Sequence, residues 1–510
     1  MLIMKWTTDH EGHLVAVWGK NPRSQRTVTQ IYIAPTTNEA VRSRGQKPYN
    51  WLGRPGMGVG PRRNMTTLER ATRCSRTAWS ATLTVMLVAC LPLRGQDSSP
   101  NGSLATHRKW DFHYQSTLIG QGVLPFPAEY SGPNSLEPHG EVRDTFSFDV
   151  TAGVHLWRGT EFFADVLSWQ GYGLSNTTGV AGFPNGEAYR VGKTFPDAVI
   201  SRAYLRETVP LGSKGVFATP SERTNEGRRF VLQLGHFSAA DVFDTNTYAN
   251  NARTQFMNWA LVNDVAWDYP ANSLGVTNGL SAEMDLNSWS ARAGIFQVSR
   301  MANALRMDWN LLHAWSAVGE IEKRHSFAGH PGAARLLAYD EHAHMGSYQQ
   351  ALSDPQNIAA LGQLGYRSKY GFGINLEQEI HKDIGAFARL GWSDGRNQVW
   401  EFTDVDRTAS MGISLKGEAW GQPGDTLGIA SVFNGITAVH RQFLANGGVG
   451  ITVGDGKLDY GVEQIVEAYY SHATRWHVSV SPDFQLVVNP AYNRARGPAF
   501  IYALRLHWEN

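Results

Sequence analysis

Charged and aromatic side chains that could bind a ligand occur at four places in the chain. The arginines and carboxylates among them form directional hydrogen bonds, and the tryptophan offers a flat apolar ring. The groups are Arg202, Arg206 and Glu207; Asp241 and Asp244; Arg253 and Trp259; and Arg494 and Arg496. The sequence contains neither a G-x-S-x-G elbow nor an H-E-x-x-H motif, so the pattern favours reversible binding and we expect no enzyme.

Metal and cofactor chemistry finds little support in the sequence. His325, His330, His342 and His344 follow no defined ligand spacing, so we interpret them as histidines of a loop. The two cysteines, Cys74 and Cys90, both lie near the amino terminus, which leaves residues 91–510 without disulfides or thiolate ligands. We therefore expect no bound metal and no cofactor.

Composition narrows the class of protein. Charged residues make up 18% of the 510 residues and the net charge is +1, so the chain lacks the basic footprint of a nucleic-acid-binding protein. Glycine (52) and tryptophan (17) are abundant, as in barrels with many tight turns and interfacial aromatic rings. The mean hydropathy is −0.32, and after residue 95 no apolar run reaches the length of a spanning helix. A membrane protein with this sequence must therefore cross with strands.

The first hundred residues indicate export. Residues 65–95 read as a signal peptide, with arginines at 70, 73 and 76, an apolar run over 78–93 and a polar exit. Because such leaders stand at true amino termini, we interpret residues 1–64 as a mis-annotated or disordered extension, with Met65 as the expected start, and 96–109 as a linker. The sequence leaves open whether Cys90, which ends a lipobox-like tetrapeptide, is lipidated.

Strand patterns fill the rest of the chain. Residues 146–156 and 499–508 alternate large apolar side chains with polar or small ones, as strands do when one face is apolar. Further alternation runs through 230–234, 372–376, 384–392, 411–415, 427–433, 476–480 and 484–488, and 381–383 reads as a hairpin turn. The stretch 301–365 breaks this rhythm, and we expect there either helical pieces of long loops or strands whose phase is hidden.

Two architectures fit this alternation. A secreted, soluble β-protein that binds glycans would bury the apolar faces in a core, and an outer-membrane barrel would turn them to lipid. The export signal, the strand length and the aromatic last strand favour residues 110–510 as an antiparallel transmembrane β-barrel, whose closure leaves no unpaired edge in lipid. With about 415 residues after the leader and roughly 25 residues per strand and connection, we expect about 16 strands.

Four stretches resemble the carbohydrate-selective porins of the OprB family. They begin at Tyr130 (YSGPNSL), Ser201 (SRAYLRETVPLG), Gly235 (GHFSAADVFDTNTYANNARTQFMNWALVNDVAWDYP) and Val487 (VVNPAYNRARGPAFIYALRLH). The similarity extends over about residues 110–508, and the stretch that begins at Gly235 is the most specific. The resemblance implies an outer-membrane porin barrel of about sixteen strands, narrowed by loops folded inward, that passes small sugars by passive diffusion. Such a porin is in contact with membrane lipid and is inserted by the barrel-assembly machinery.

In such a porin the four groups become candidates for the pore constriction, and we favour Arg206, Asp244 and Arg253 among them. A diffusive pore must bind sugars weakly enough to release them. The last strand departs from the usual barrel ending, because Glu509 and Asn510 follow Trp508. The sequence leaves open a homotrimer or a monomer, the particular sugar, and a general diffusion porin without sugar preference.

Overall fold

A computed structural model describes residues 2–8, 14–20, 109–189, 192–212, 228–354, 358, 361 and 364–510. Near the amino terminus, strands β1 (Leu2–Thr8) and β2 (Leu14–Lys20) pair as an antiparallel hairpin. Apart from this hairpin and Lys109, the expected extension, signal peptide and linker lie outside the described residues. The unit over residues 104–510 is a separate body, described below by itself.

Among the described residues of this second unit, 16 strands form a closed antiparallel barrel, which confirms the predicted fold class. Each strand pairs with its neighbours in chain order, and the last strand pairs with the first. The strands are β3 (Trp110–Val123), β4 (Glu141–Trp157), β5 (Thr160–Gly171), β6 (Lys193–Pro210), β7 (Arg229–Phe237), β8 (Thr277–Asp285), β9 (Trp289–Gln297), β10 (Trp315–Phe327), β11 (His330–Met345), β12 (Gly365–His381), β13 (Ile384–Ser393), β14 (Arg407–Lys416), β15 (Thr426–Gly435), β16 (Glu463–Ala473), β17 (Val478–Val488) and β18 (Ala499–Glu509).

Strand β18 shows how the sequence alternation places side chains. Phe500, Tyr502 and Leu504 are exposed on the outer wall, whereas Ile501 and Arg505 are buried on the inner side. Aromatic rings gather near both ends of the outer wall. At one end these are Trp157, Trp289, Phe327 and Trp476, and at the other Tyr370 and Trp392. An apolar wall between two aromatic rims is the surface that a bilayer requires.

Most connections at one end of the barrel are shorter than those at the other end. One end carries tight turns, among them residues 158–159, 328–329 and 382–383, the last of which lies within the turn predicted at 381–383. The other end carries long loops, including 172–192, 238–276 and 436–462. Outer-membrane barrels have short turns on the periplasmic side and long loops outside, so the two ends are called here the turn end and the loop end.

Two predictions about local structure need correction. Residues 476–480 and 484–488 belong to the single strand β17 and the turn before it. The four histidines expected in a loop, His325, His330, His342 and His344, lie on β10 and β11. These two strands form a hairpin within 301–365, where strands of hidden phase were one of the two alternatives. Helices in the described residues are short, namely α1 (Trp259–Val262), α2 (Tyr348–Ser353) and α3 (Ala438–Ala445), and none is long and apolar enough to cross a membrane.

The connection between β7 and β8, residues 238–276, folds into the barrel and is called here the inward loop. Its backbone groups are buried, so they need hydrogen-bond partners. The inner wall supplies them: Arg389 donates to the carbonyls of Leu261 and Ala249, and Glu467 accepts from the backbone N–H of Met257. Strands β13 and β16 therefore hold the loop, and the open space lies on the opposite side of the lumen.

Candidate functional site

A cavity of about 620 Å³ lies between the inward loop and the wall formed by β3 to β7. Its lining includes Gln115 and Arg206, which lie in the half of their strands near the turn end, and Phe402 and Thr452 from connections at the loop end. The cavity therefore extends along the barrel axis, and a solute crossing on this side of the lumen meets its walls.

One wall of the cavity carries the ion pair of Arg202 and Asp241. Arg202 projects inward from β6 and forms a two-pronged pair with the Asp241 carboxylate, with Nε–Oδ2 at 2.7 Å and Nη2–Oδ1 at 2.8 Å. Its third nitrogen lies 3.3 Å from Asp165 Oδ2 on β5. Asp241 is held in turn by a reciprocal cap with Ser238 at the start of the inward loop. The pair therefore links the wall to the loop and has a defined geometry.

A second charged group surrounds Arg253 of the inward loop. Its Nη1 lies 2.5 Å from Asp149 Oδ2 on β4, and its Nε lies 3.0 Å from Glu187 Oε1 in the 172–192 connection. Burial opposes the charge on Arg253, but the Glu187 and Asp149 carboxylates outweigh it and raise the pKa of the guanidinium. For Glu187, burial raises the pKa, but the Arg253 charge and the hydrogen bonds from Arg253 and Ser147 together outweigh burial, so the net shift is a decrease. Arg253 and Glu187 are therefore charged at neutral pH.

Aromatic rings from the loops form the other wall. Trp259, the first residue of α1, stacks on Phe183 at 5.5 Å between ring centroids, with the planes 10° apart. It also contacts Tyr269 and Phe402, and these two stack at 4.8 Å. Asn258 caps α1 by accepting from the Ala260 N–H, which fixes the start of the helix and the position of Trp259. The lining of the cavity therefore combines charged groups with flat apolar faces.

Five of the nine predicted residues line this cavity, namely Arg202, Arg206, Asp241, Arg253 and Trp259. The other four lie elsewhere. Glu207 follows Arg206 on β6, so it takes the opposite face of the strand, where it accepts from Thr160. Asp244, although favoured, belongs to the inward loop, and its buried carboxylate is bonded to Arg389 and Asn375.

The two arginines before the last strand also lie outside the cavity lining. Arg494 is exposed in the connection 489–498. Arg496 is buried there and donates to the carbonyls of Tyr130 and Leu136, which ties this connection to the one after β3. Arg496 therefore stabilises the loops at this end, and Arg494 faces solvent.

The family model for the carbohydrate-selective porin, OprB family, matches residues 133–509. This match covers well over half of the chain. The chain belongs to the OprB family of carbohydrate-selective porins. Membership of this family, together with the closed barrel, shows that the chain is a channel protein of the bacterial outer membrane, as predicted.

Individual relatives are distant. The solved "High pH structure of Pseudomonas putida OprB" superposes with a TM-score of 0.61 at 15% sequence identity, over 79% of this chain and 94% of that one. At this sequence identity, the structural similarity shows a shared fold and nothing more. Porin AaxA of Chlamydia muridarum is 23% identical over 56% of this chain and 52% of its own length. Porin AaxA of Chlamydia trachomatis is also 23% identical, over 54% and 51%. The chain thus spans about half the length of these curated relatives.

Several residues that complete the site in this OprB-family barrel were not among the predicted ones. Asp149 and Asp165 could have been found, because each is an acidic residue on the inner face of an alternating strand. Glu187, Tyr269 and Phe402 come from three different connections. No periodicity marks such positions, so sequence patterns carry no signal for them.

The neighbours Arg206 and Glu207 allow a direct test of which face of β6 meets the channel. With Cys74 and Cys90 changed to serine, a single cysteine can be placed at either position. We expect a water-soluble thiol reagent to reduce the single-channel conductance of Arg206→Cys and to leave that of Glu207→Cys unchanged, because only position 206 faces the cavity. A conductance drop in Glu207→Cys alone would contradict the face assignment.

Proposed function

We propose that this barrel lets small sugars diffuse passively across the outer membrane through the cavity beside the inward loop. The observation that carries the proposal is that two ion-paired arginines, Arg202 and Arg253, line the same cavity as the aromatic rings of Trp259, Tyr269 and Phe402. Its volume of about 620 Å³ lies within the roughly 300–1,000 Å³ of small-molecule sites.

The two walls match the two kinds of surface on a sugar ring. Hydroxyl groups at the ring edge can hydrogen-bond to arginine and carboxylate groups, and the C–H face packs on an aromatic ring. Arg202 and Arg253 already bond to carboxylates, so the N–H groups that stay free are held in a fixed position. Because the carboxylates neutralise the charge of each arginine, these N–H groups bind a ligand only weakly. Such a site binds weakly and releases quickly, as a diffusive channel requires.

The test is single-channel conductance of the protein in a planar bilayer while neutral sugars are added. We expect stepwise currents that a monosaccharide reduces in a saturable way, because a bound sugar displaces water and ions from the cavity. Currents that fall only with the viscosity of the solution would contradict the proposal. They would indicate the alternative, a general diffusion porin without sugar preference.

Changing Trp259 to alanine should weaken sugar block and leave the ion current largely intact. An aromatic contact contributes about 1 kcal/mol, so the half-blocking sugar concentration should rise roughly fivefold. The matched control is Trp289→Ala, because Trp289 lies on the outer wall of the barrel at the turn end. Equal effects of the two changes would mean that the aromatic wall does not contact the sugar.

Contact with outer-membrane lipid follows from the family and the apolar outer wall. Insertion by the barrel-assembly machinery is a further prediction, which depletion of that machinery in the cell would test. Assembly as a homotrimer also stays a prediction, and the mass of the detergent-solubilised protein would decide between trimer and monomer.

A further inference from the structure

The connection between β9 and β10 takes an unusual course at the loop end of the barrel. Its residues 299–314, called here the outer loop, hydrogen-bond to side chains on the outer wall. Gln297 Nε2 donates to the Asp308 carbonyl at 2.8 Å, and His342 Nδ1 donates to the His313 carbonyl at 2.8 Å. Tyr366 donates to the Asp308 carboxylate at 3.3 Å.

These anchoring side chains belong to the face that meets lipid. Gln297 follows the exposed Ile295 by two residues on β9, and Tyr366 precedes the exposed Tyr370 and Phe372 at even spacing on β12. Residues two apart on a strand share a face. The part of the outer loop that these bonds hold, residues 308–313, therefore lies against the outside of the barrel, directly above the apolar wall, at the level of the aromatic rim.

The surface that the outer loop presents is apolar and cationic at once. Leu312 is 85% exposed and Trp309 76% exposed, and Met301 and Leu311 are also more than half exposed. Arg300 and Arg306 are exposed as well, and neither forms an ion pair or side-chain hydrogen bond within the described residues. Large apolar side chains in such a concentration indicate an interaction surface rather than a solvated loop.

We propose that the outer loop inserts into the outer leaflet of the membrane, with Trp309 and Leu312 at the boundary of the acyl chains and Arg300 and Arg306 on anionic lipid phosphates. The loop continues the lipid-facing wall, so the bilayer that covers Ile295 and Phe372 also reaches it. Segments that combine tryptophan, leucine and arginine settle at this depth, where the ring and the alkyl groups leave water and the guanidinium meets phosphate.

This inference goes beyond sugar passage and does not require it. Lipid bound to the outer loop would also stabilise the neighbouring connections, because the outer loop forms hydrogen bonds to them. Trp400 donates its ring N–H to the Ser299 carbonyl, and Ser273 of the inward loop donates its backbone N–H to the Ala304 carbonyl.

The test places an environment-sensitive fluorophore on the outer loop. In the full chain with Cys74→Ser and Cys90→Ser, Trp309→Cys carries the label, and Ala445→Cys, at the exposed end of α3 in another long connection, is the matched control. The proteins are placed in phosphatidylcholine vesicles, with or without phosphatidylglycerol, and with lipid that bears a bromine quencher high on the acyl chain. Heat-dependent mobility in SDS gels verifies that each barrel is folded.

We expect the label at position 309 to shift to the blue and to be quenched by the brominated lipid, more strongly with phosphatidylglycerol. The label at 445 should keep its emission in water. Changing both Arg300 and Arg306 to glutamine should remove the added effect of phosphatidylglycerol. A label at 309 that stays water-exposed in both vesicles would overturn the proposal.

A second copy of the chain is the other occupant that could cover this surface. Nanodiscs that hold one barrel each separate the two cases, because lipid is present and a second copy is not. We expect the same blue shift and quenching at position 309 in these nanodiscs. Shielding that appears only in vesicles with many barrels would mean that another copy covers the loop, and the lipid proposal would be wrong.

Discussion

Changing Arg389 to methionine is expected to widen the pore, with a several-fold rise in single-channel conductance and loss of sugar block. Arg389 is fully buried on β13 and bonds to the inward loop through the carbonyls of Leu261 and Ala249 and through both the carbonyl and the carboxylate of Asp244. Removing one partner of such a buried charged pair costs about 3–5 kcal/mol. The loop should then leave its place in the lumen, and a barrel of this strand number without it encloses a wide aqueous channel.

The matched control for this change is Arg324→Met. Arg324 also pairs with inner-wall carboxylates, those of Asp285 and Glu322, but its bonds go to the turn end of the barrel and not to the inward loop. The single-channel conductance of Arg324→Met should stay near that of the unchanged protein. If folded Arg389→Met protein, judged by heat-dependent gel mobility, conducts as before, the inward loop is held by other contacts.

Changing Arg253 to glutamine is expected to make the channel strongly cation-selective. The cavity lining contains the carboxylates of Asp149, Asp165, Glu187 and Asp241 and the guanidinium groups of Arg202, Arg206 and Arg253. Removing one positive charge leaves Asp149 and Glu187 without their partner. Charges at a constriction decide which ions pass, so the reversal potential in a potassium chloride gradient should move toward the potassium potential.

Arg494→Gln is the control for this measurement, because it removes the same charge from an exposed position outside the cavity. Its reversal potential should match that of the unchanged protein. Equal shifts for the two variants would show that selectivity follows the overall charge of the loops. An unchanged reversal potential for Arg253→Gln would mean that Arg253 does not lie on the ion pathway.

Local patterns in the sequence were enough to predict the barrel. Strand β18 and the β12–β13 hairpin were correctly predicted, because a strand between lipid and lumen repeats its polarity every second residue. The same rule explains the failure at β10 and β11. There the inner face carries the buried charges of Glu320, Glu322 and Arg335. The outer face of β11 includes small residues and histidines, so the contrast between the two faces is weak.

The site was only partly predictable, for a physical reason that Asp244 illustrates. In sequence it is one more acidic residue three positions after Asp241, yet the loop turns at Asp244 with a φ of 55° and buries its carboxylate against Arg389. Asp241 instead meets Arg202 at the cavity wall. Whether a loop carboxylate faces water or the wall depends on the path of the loop.

The sequence by itself determined an exported protein, the faces of most strands, the approximate strand number and the family. Only the tertiary structure decided that Arg253 meets Asp149 and Glu187, that Trp259 meets Phe402, and that Asp244 and Arg496 hold loops rather than line the pore. Alternation along a strand is a local property that each segment shows alone. Contacts between loops far apart in the chain arise only when the closed barrel brings the loops together.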